Sequence, residues 1–510
     1  MKGVETNKNL IRRRVFEAIA RLAYEGGKPE DIKNLPYEII PGEVATYRES
    51  IFLERAIIEE RLRAALGLPL RDITEHTSVI DGIEESMVPE TYYKPPLIDI
   101  IKFACYKCPE KRVFVTDGCQ GCLEHPCMEV CPKGAITFKN GRSYIDDEKC
   151  VKCGLCVNAC QYNAIIKQER PCVKSCGVNA IKSDQFGRAV IDQDRCVSCG
   201  MCLVNCPFGA IVDKGQIYQT IMAIKSETPV YAIVAPAIAG QFGKQMSDNK
   251  IRPAFRALGF TDVYEVALGA DMCTIQEAND FLEEVPSKIP FMGTSCCPAW
   301  NKMAQRDFPK YANTISMALT PMVLTARLIK TEHPDCKICF IGPCLSKKEE
   351  ASRTNIKSYV DFTLTFEEVA GMFEALDVDI AALPADVPLK QASSDGRGFA
   401  ASGGVASAVK NYINKLDPDI DVKIVKGEGL AECKRMMMMA ARGKYNGYLL
   451  EGMACPGGCI SGAGTLQTIM SSSRSLQQSQ REATFQRAGD TIYASWIKDL
   501  VNIEQTLKKE

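Results

Sequence analysis

The sequence predicts a largely parallel α/β region behind a cysteine-rich α+β segment and an N-terminal helical segment. Three observations carry this reading. Residues 213–510 alternate short apolar runs with amphipathic stretches, residues 96–212 hold sixteen of the 25 cysteines, and residues 1–95 hold none. Strand-like runs alternating with helical stretches are the pattern of parallel sheets covered by helices.

Each region can be justified in turn. Ile11–Leu22 and Ile51–Leu66 place apolar residues at helical spacing with charged opposite faces. They read as docking helices without chemistry of their own. In the last region Val230–Ala235 and Ile338–Gly342 read as strands, and Asn249–Leu258 and Phe366–Leu376 as helices. Residues 470–510 are polar, then helical, and read as a closing segment.

A net charge of −1 supplies no basic field for nucleic acid or an anionic membrane. No apolar run is long enough to span a bilayer. The first residues lack the apolar core of a secretory leader, and Arg12-Arg13-Arg14 leads into an amphipathic pattern. The expected location is the cytoplasm, with no nucleic-acid partner and no membrane span. In that reducing compartment an odd number of cysteines argues against a disulfide framework. Zinc usually enlists histidine, and the chain has only His76, His125 and His333. All-cysteine ligation suits iron–sulfur clusters.

The spacing agrees. Cys196-x2-Cys199-x2-Cys202-x3-Cys206-Pro207 is the bacterial ferredoxin pattern. Cys150-x2-Cys153-x2-Cys156-x3-Cys160 repeats it with Gln161 in place of proline, and Cys119-x2-Cys122-x4-Cys127-x3-Cys131-Pro132 is a near variant. In such motifs three close thiolates wrap one cubane and the fourth ligates its neighbour. That rule suggests a nested arrangement. Cys119, Cys122 and Cys127 with Cys160 would hold one 4Fe–4S cluster, and Cys150, Cys153 and Cys156 with Cys131 a second. Cys196, Cys199 and Cys202 with Cys176 would hold a third. Cys105, Cys108, Cys172 and Cys206 remain for a fourth; the bland alternative for Cys105 and Cys108 is a structural pair. Cubanes in a row pass single electrons and need a partner chemistry elsewhere.

Three further cysteine motifs lie far apart: Thr294-Ser295-Cys296-Cys297-Pro298-Ala299-Trp300, Gly342-Pro343-Cys344-Leu345-Ser346-Lys347-Lys348-Glu349, and Glu451-Gly452-Met453-Ala454-Cys455-Pro456-Gly457-Gly458-Cys459. Each sits in a Pro- or Gly-containing turn, and in open α/β sheets such turns at strand ends build sites. Four or five converging thiolates would bind another cluster.

In order and separation these motifs resemble the signatures of the FeFe-hydrogenases, over roughly residues 100–470. The resemblance implies two lobes with mixed, largely parallel sheets flanked by helices and an active site in the cleft. It divides the chain into an N-terminal segment (1–95), a ferredoxin-like domain with up to four clusters (96–212) and an H-cluster catalytic domain (213–510). It implies that Cys297, Cys344, Cys455 and Cys459 hold the cubane of the H-cluster. Cys459 would bridge it to a two-iron site carrying carbon monoxide, cyanide and a dithiolate. Lys347 would donate to a cyanide, Met453 would pack beside the two-iron site, and Ala235, Pro236, Pro343 and Phe399 would line its pocket. Cys296, Glu277, Ser316 and Asp280 would relay protons, with Asp280 where glutamate is commoner and Glu284 where arginine is common. The activity implied is 2H⁺ + 2e⁻ ⇌ H₂, with ferredoxin or another carrier as electron partner and dedicated enzymes maturing the cofactor. The alternatives are a hydrogen sensor on the same cofactor and an iron–sulfur scaffold related to hydrogenases.

Departures from the family pattern suggest a divergent subgroup. Gly342 replaces a methionine, Ala237 offers no hydroxyl, and Met322 stands where glutamine is frequent, predicting fewer donors and less bulk around the cofactor. Other features have plainer readings. Cys336-x2-Cys339 falls in an apparent strand whose offset of three points to opposite faces. Cys273 and Cys433 read as buried, and Met436–Met439 as core packing. Gly396–Gly404 lacks the Lys-Ser/Thr ending of a P-loop.

Overall fold

The computed structural model describes residues 3–86, 95–353, 358–389 and 391–496. The last fourteen positions of the predicted closing segment therefore lie outside the described residues. The helix Asn7–Glu25 starts where the Thr6 hydroxyl accepts from Asn9 N at 3.3 Å and stops at Gly26, whose φ of 74° is left-handed. The helix Ile51–Ala65 starts at Ser50, whose hydroxyl accepts from Phe52 N at 3.2 Å. Both stretches read as helices are thus helical, and their apolar faces join the main core with Ile217, Phe366 and Val369.

The cysteine-rich stretch is built from four antiparallel strand pairs, nested like brackets. Ile98–Ile100 pairs with Ile211–Asp213. Inside that pair, Arg112–Val115 pairs with Ile165–Gln168. Ile136–Lys139 with Arg142–Ile145 lies within the inner bracket, and Ile181–Ser183 with Ala189–Ile191 lies between the two. The strands are three or four residues long, and short loops carry the cysteines between them.

Beyond residue 213 the chain forms two parallel sheets flanked by helices. One is ordered Asp262–Glu265, Val230–Val234, Lys337–Ile341, Phe362–Leu364. The other is ordered Met292–Gly293, Tyr448–Met453, Lys423–Glu428. Every pairing in these two sheets is parallel, so the expected mixture is simplified. Val230–Val234, Lys337–Ile341, Asp248–Ala257 and Phe366–Ala375 match the expected elements within one residue at each end. Cys336 and Cys339 pack into different apolar clusters, as the strand offset requires.

A buried ionic network ties the regions together. Lys348, fully buried, donates to Asp213 at 3.0 Å and Glu368 at 3.1 Å. Arg12 reaches Asp213 at 3.2 Å and Glu367 at 2.9 Å. The N-terminal helix, the end of the cysteine-rich stretch and the α/β region thus share one set of desolvated charges. Losing one partner would leave another charge buried and unpaired. Among the described residues, no helix is long and apolar enough to cross a membrane.

Candidate active site

The strands of both sheets deliver their carboxyl ends to one cavity. Val234 leads into Ala235-Pro236, Gly293 into Thr294–Cys297, Ile341 into Pro343-Cys344, and Met453 into Cys455 and Cys459. The cavity is lined by Cys296, Cys297, Cys344, Cys455 and Cys459, with Lys347, Met453, Phe399, Pro343, Ala235 and Pro236. Trp300 locks two of the three motifs together. Its indole is fully buried, its Nε1 donates to Thr294 O at 3.2 Å, and it lies so close to Gly452 that any Cβ there would overlap the ring.

The five thiols lie deep in the molecule, and the surface they keep faces this cavity. Burial pushes each of them up, Cys344 to about 11, and neighbouring thiols add to the effect at Cys296, Cys344, Cys455 and Cys459. Such thiols hold their protons unless a cation replaces them. Burial pulls Lys347 down, but Glu350, accepting from its ammonium at 2.5 Å, outweighs this and raises it. Among the described residues no carboxylate lines the cavity. Among the described residues no cluster of three or more histidine, cysteine or carboxylate side chains is tight enough for a single metal ion. Four thiols spread around a carboxylate-free wall fit a polynuclear iron–sulfur group instead.

Glu277, Ser316 and Asp280 do not line the cavity; Glu277 bears electrostatically on Cys296, Glu277 and Ser316 are buried, and Asp280 is half-buried. Ser295 N donates to Glu277 Oε1 at 2.7 Å, and Glu277 Oε2 has no hydrogen-bond partner. Burial raises Glu277 to about 7, against the opposing pull of Ser295 and Ser316. Burial, with Glu284 and Glu283 nearby, raises Asp280 to about 6. Both carboxyls exchange protons near neutrality. Two contributors escaped the sequence reading. Ser295 holds Glu277, and the Cys273 thiol lies 3.7 Å from the Ser295 hydroxyl. Cys273 stands four residues before Glu277 on the helix Ala267–Glu284, a spacing that could have drawn attention to it. The loss of bulk expected at Gly342 is offset, because the Phe340 ring occupies the space a side chain there would need and lines the cavity itself.

The accessory cysteines fall into groups. Cys131, Cys150, Cys153 and Cys156 line a second, smaller cavity. Cys127 and Cys160 pack beside it, and Ser143 lies between Cys127 and Cys119. Cys199 and Cys202 feel the charges of Cys176 and Cys196, and Cys199 also reaches the main cavity. Cys108 and Cys172 both feel Cys105 and Cys206. One backbone signature repeats four times. The residue before the second cysteine of each Cys-x2-Cys is left-handed: Lys107, Gly121, Lys152 and Ser198, with φ of 49°, 60°, 57° and 53°. So is the third residue after Cys131, Cys160, Cys176 and Cys206: Gly134, Asn163, Asn179 and Gly209, with φ of 55°, 52°, 53° and 59°. The Cys105–Cys108 turn therefore shares the left-handed residue of its three counterparts.

Comparison with known proteins bears on the whole arrangement. Residues 228–463 match the family model described as iron only hydrogenase large subunit, C-terminal domain. The protein is FeFe-hydrogenase-like. Residues 143–166 and 188–211 each match a 4Fe-4S binding domain. Iron hydrogenase 1 of Clostridium pasteurianum is 29% identical over 425 residues, covering 72% of this chain and 73% of that protein. The NADP-reducing hydrogenase subunit HndD of Solidesulfovibrio fructosivorans is 27% identical over 309 residues, and the chain covers 53% of its length. A solved variant of the FeFe-hydrogenase HydA1 from Chlamydomonas reinhardtii aligns with a TM-score of 0.45 at 20% identity, covering 55% of this chain and 93% of that one. The function of this FeFe-hydrogenase-like chain is of the hydrogenase type and uses iron–sulfur clusters.

Proposed function

We propose that the protein catalyses 2H⁺ + 2e⁻ ⇌ H₂ at an H-cluster held by Cys297, Cys344, Cys455 and Cys459. The observation that carries this reading is the meeting of three distant motifs in one carboxylate-free cavity, with Lys347 and Cys296 on its wall. When bound, the H-cluster supplies an electron-rich two-iron centre at which H₂ is split or formed. The chain's own residues do the rest. Lys347, kept charged by Glu350, places a cation on the cavity wall. Met453 and Phe399, both nearly fully buried, exclude water. Cys296 Sγ holds a proton at the inner end of a relay, Glu277 takes it, and Ser316 and Asp280 pass it outward; a donor and an acceptor that titrate near the working pH suit general acid–base transfer.

The nested reading of the accessory cysteines gives four 4Fe–4S clusters, in a ferredoxin-like domain of residues 96–212 ahead of a catalytic domain of residues 213–510. Electrons would pass between a ferredoxin-type carrier and the cavity by way of Cys199, which belongs to one accessory group and also lines the main cavity. The cofactor would come from maturation enzymes, and the setting would be the cytoplasm.

Anaerobic maturation with the two-iron cofactor, followed by infrared spectroscopy and H₂ turnover, tests the reading. Carbonyl and cyanide bands with turnover are expected. Absence of the bands would overturn it, and bands without turnover would point to a sensor. Cys296→Ala should keep the bands and lose turnover.

A further inference from the structure

Lys8 and Arg61 on two N-terminal helices, Arg48 in the segment before the second of them, and Arg170 before Pro171 place four cations around one group of accessory cysteines. Arg61, 7% exposed, donates from Nη2 to Gly209 O at 2.7 Å, and its Nε has no partner. Arg48 donates to Phe208 O at 2.8 Å and Ala104 O at 3.4 Å. Its guanidinium lies 5.6 Å from the centre of the Tyr106 ring, which stacks on Phe208 at 4.5 Å. Lys8 donates to Val204 O at 2.9 Å and Cys206 O at 3.4 Å. Arg170, 4% exposed, donates through Nε and Nη2 to Cys108 O at 3.0 and 2.7 Å, and its Nη1 has no partner.

Each of these cations is bound by carbonyl oxygens, and among the described residues none forms an ion pair with a carboxylate, although Glu367 bears electrostatically on the half-buried Lys8. Arg12, Lys348 and Arg397 are instead paired with Asp213, Glu368 and Glu265, while Arg63, 3% exposed, shares the carbonyl-only pattern through Pro69, Val79 and Asp81. Burying a charge without a counter-charge is strongly unfavourable. Burial pulls Arg61 down only to about 10, so it stays charged at neutral pH. Gly209 is left-handed and carries no side chain, and a Cβ there would stand 2.5 Å from Arg61 Nη2. The loop is shaped to admit the guanidinium. The carbonyls gripped belong to or flank Cys105, Cys108 and Cys206, and Arg170 also bears electrostatically on Cys172. A thiolate-ligated cubane is anionic and would offset much of this positive charge, more of it when reduced than when oxidised.

We propose that Lys8, Arg48, Arg61 and Arg170 form a cationic cage that raises the reduction potential of the 4Fe–4S cluster assigned to Cys105, Cys108, Cys172 and Cys206. This rests on the nested four-cluster reading above. The step is a one-electron reduction, with the electron supplied by the external carrier. It adds one negative charge to the cluster, and fixed cations in a desolvated site favour that state. The cluster then stores an electron while neighbouring clusters of lower potential are oxidised.

The test is an EPR-monitored potentiometric titration of the full chain, reconstituted with iron and sulfide but without the two-iron cofactor. In Arg61→Gln and Arg48→Gln, one cluster signal should move to more negative potential, its electron affinity falling about tenfold, or about 59 mV. Arg61→Lys should recover most of that shift. Unmoved potentials in both glutamine variants, with four accessory cubanes present, would overturn the cage alone. Fewer than four accessory cubanes in the unaltered protein would overturn the nested assignment, and the cage with it. If Arg61→Gln loses iron, the half-buried Arg48→Gln decides: a negative shift supports the cage and no shift refutes it.

Discussion

Two regions serve the cavity in the proposed function, one for protons and one for electrons, and they are built on different principles. The proton side is one helix, Ala267–Glu284, whose carboxyls are set by burial among a few named neighbours. The electron side is a stretch of short strand pairs and one backbone signature used four times. On the proton side each side chain is a single point of failure, since Glu277 and Asp280 would act in series and neither duplicates the other. On the electron side the backbone carries the design, and the side chains around each copy are free to differ. Cys153 is exposed beside Val151 and Leu155, whereas Cys172, Cys202 and Cys206 are buried. Repetition thus gives equivalent loops inequivalent surroundings.

The contrast can be broken or sharpened experimentally. The largest effect is expected from Glu277→Gln. H₂ turnover of the matured protein should fall by a factor on the order of 10²–10⁴, with the infrared bands unchanged and the pH–rate limb near 7 lost. Turnover within threefold of the original would remove the proton side from the comparison. Next is Trp300→Ala, which empties the space between the first and third motifs. It should cost about 3–5 kcal/mol in denaturant unfolding of the full chain; a loss below about 1 kcal/mol would show that the motifs are held otherwise.

A third test concerns Asp271 on the proton-side helix. Burial raises it to about 8, and its carboxylate accepts from Ser393 N at 2.8 Å. The ordinary value is 3.8, so the folded state keeps a proton that the unfolded state releases. This contribution is fully present below about pH 4 and is lost as pH rises through about 8, at no more than about 1.4 kcal/mol per pH unit. Asp271→Asn should flatten that slope, measured as denaturant midpoint against pH; an unchanged slope would refute the assignment. The smallest effect is expected on the electron side. Lys152 is left-handed at φ 57°, so Lys152→Gly should stabilise the loop by about 1 kcal/mol with cluster content unchanged. A loss of iron would show that the side chain, and not the backbone shape alone, is needed there.

Much of this was legible in the sequence because it is local. The Cys-x2-Cys spacings, the Pro- and Gly-bearing turns, and runs such as Val230–Ala235 depend on neighbours a few residues away. Met436 and Met437 are buried on one helix face while Met438 is exposed, as a packing stripe requires. What was not legible depends on long-range contact. Residues 1–95 read as docking helices without chemistry, yet Arg61 meets Gly209 and Lys8 meets Cys206 across the fold. No periodicity reports such a meeting, because a cation on a charged helix face looks solvated until something covers it. The Phe340 ring is a similar case, since its strand position told only that it alternates with Cys339 and Ile341. The division of the parallel strands into two sheets was expected only through the family resemblance, because no short window of sequence contains it.

The bracketing of the strands has a consequence for biosynthesis. Arg112–Val115 meets its partner Ile165–Gln168 about fifty residues later, whereas Ile98–Ile100 must wait for Ile211–Asp213. At about 5–20 residues per second, the ribosome takes on the order of ten seconds to lay down the span between the outer strands. The inner bracket can close while its flanks are still being translated. Cys105 and Cys108 emerge first and are enclosed last, so the earliest thiols stay open longest to oxygen, stray metal and wrong partners. For the two brackets the order of closure therefore runs opposite to the order of emergence, and the interval over which the first thiols stay open is set by the outermost strand pair.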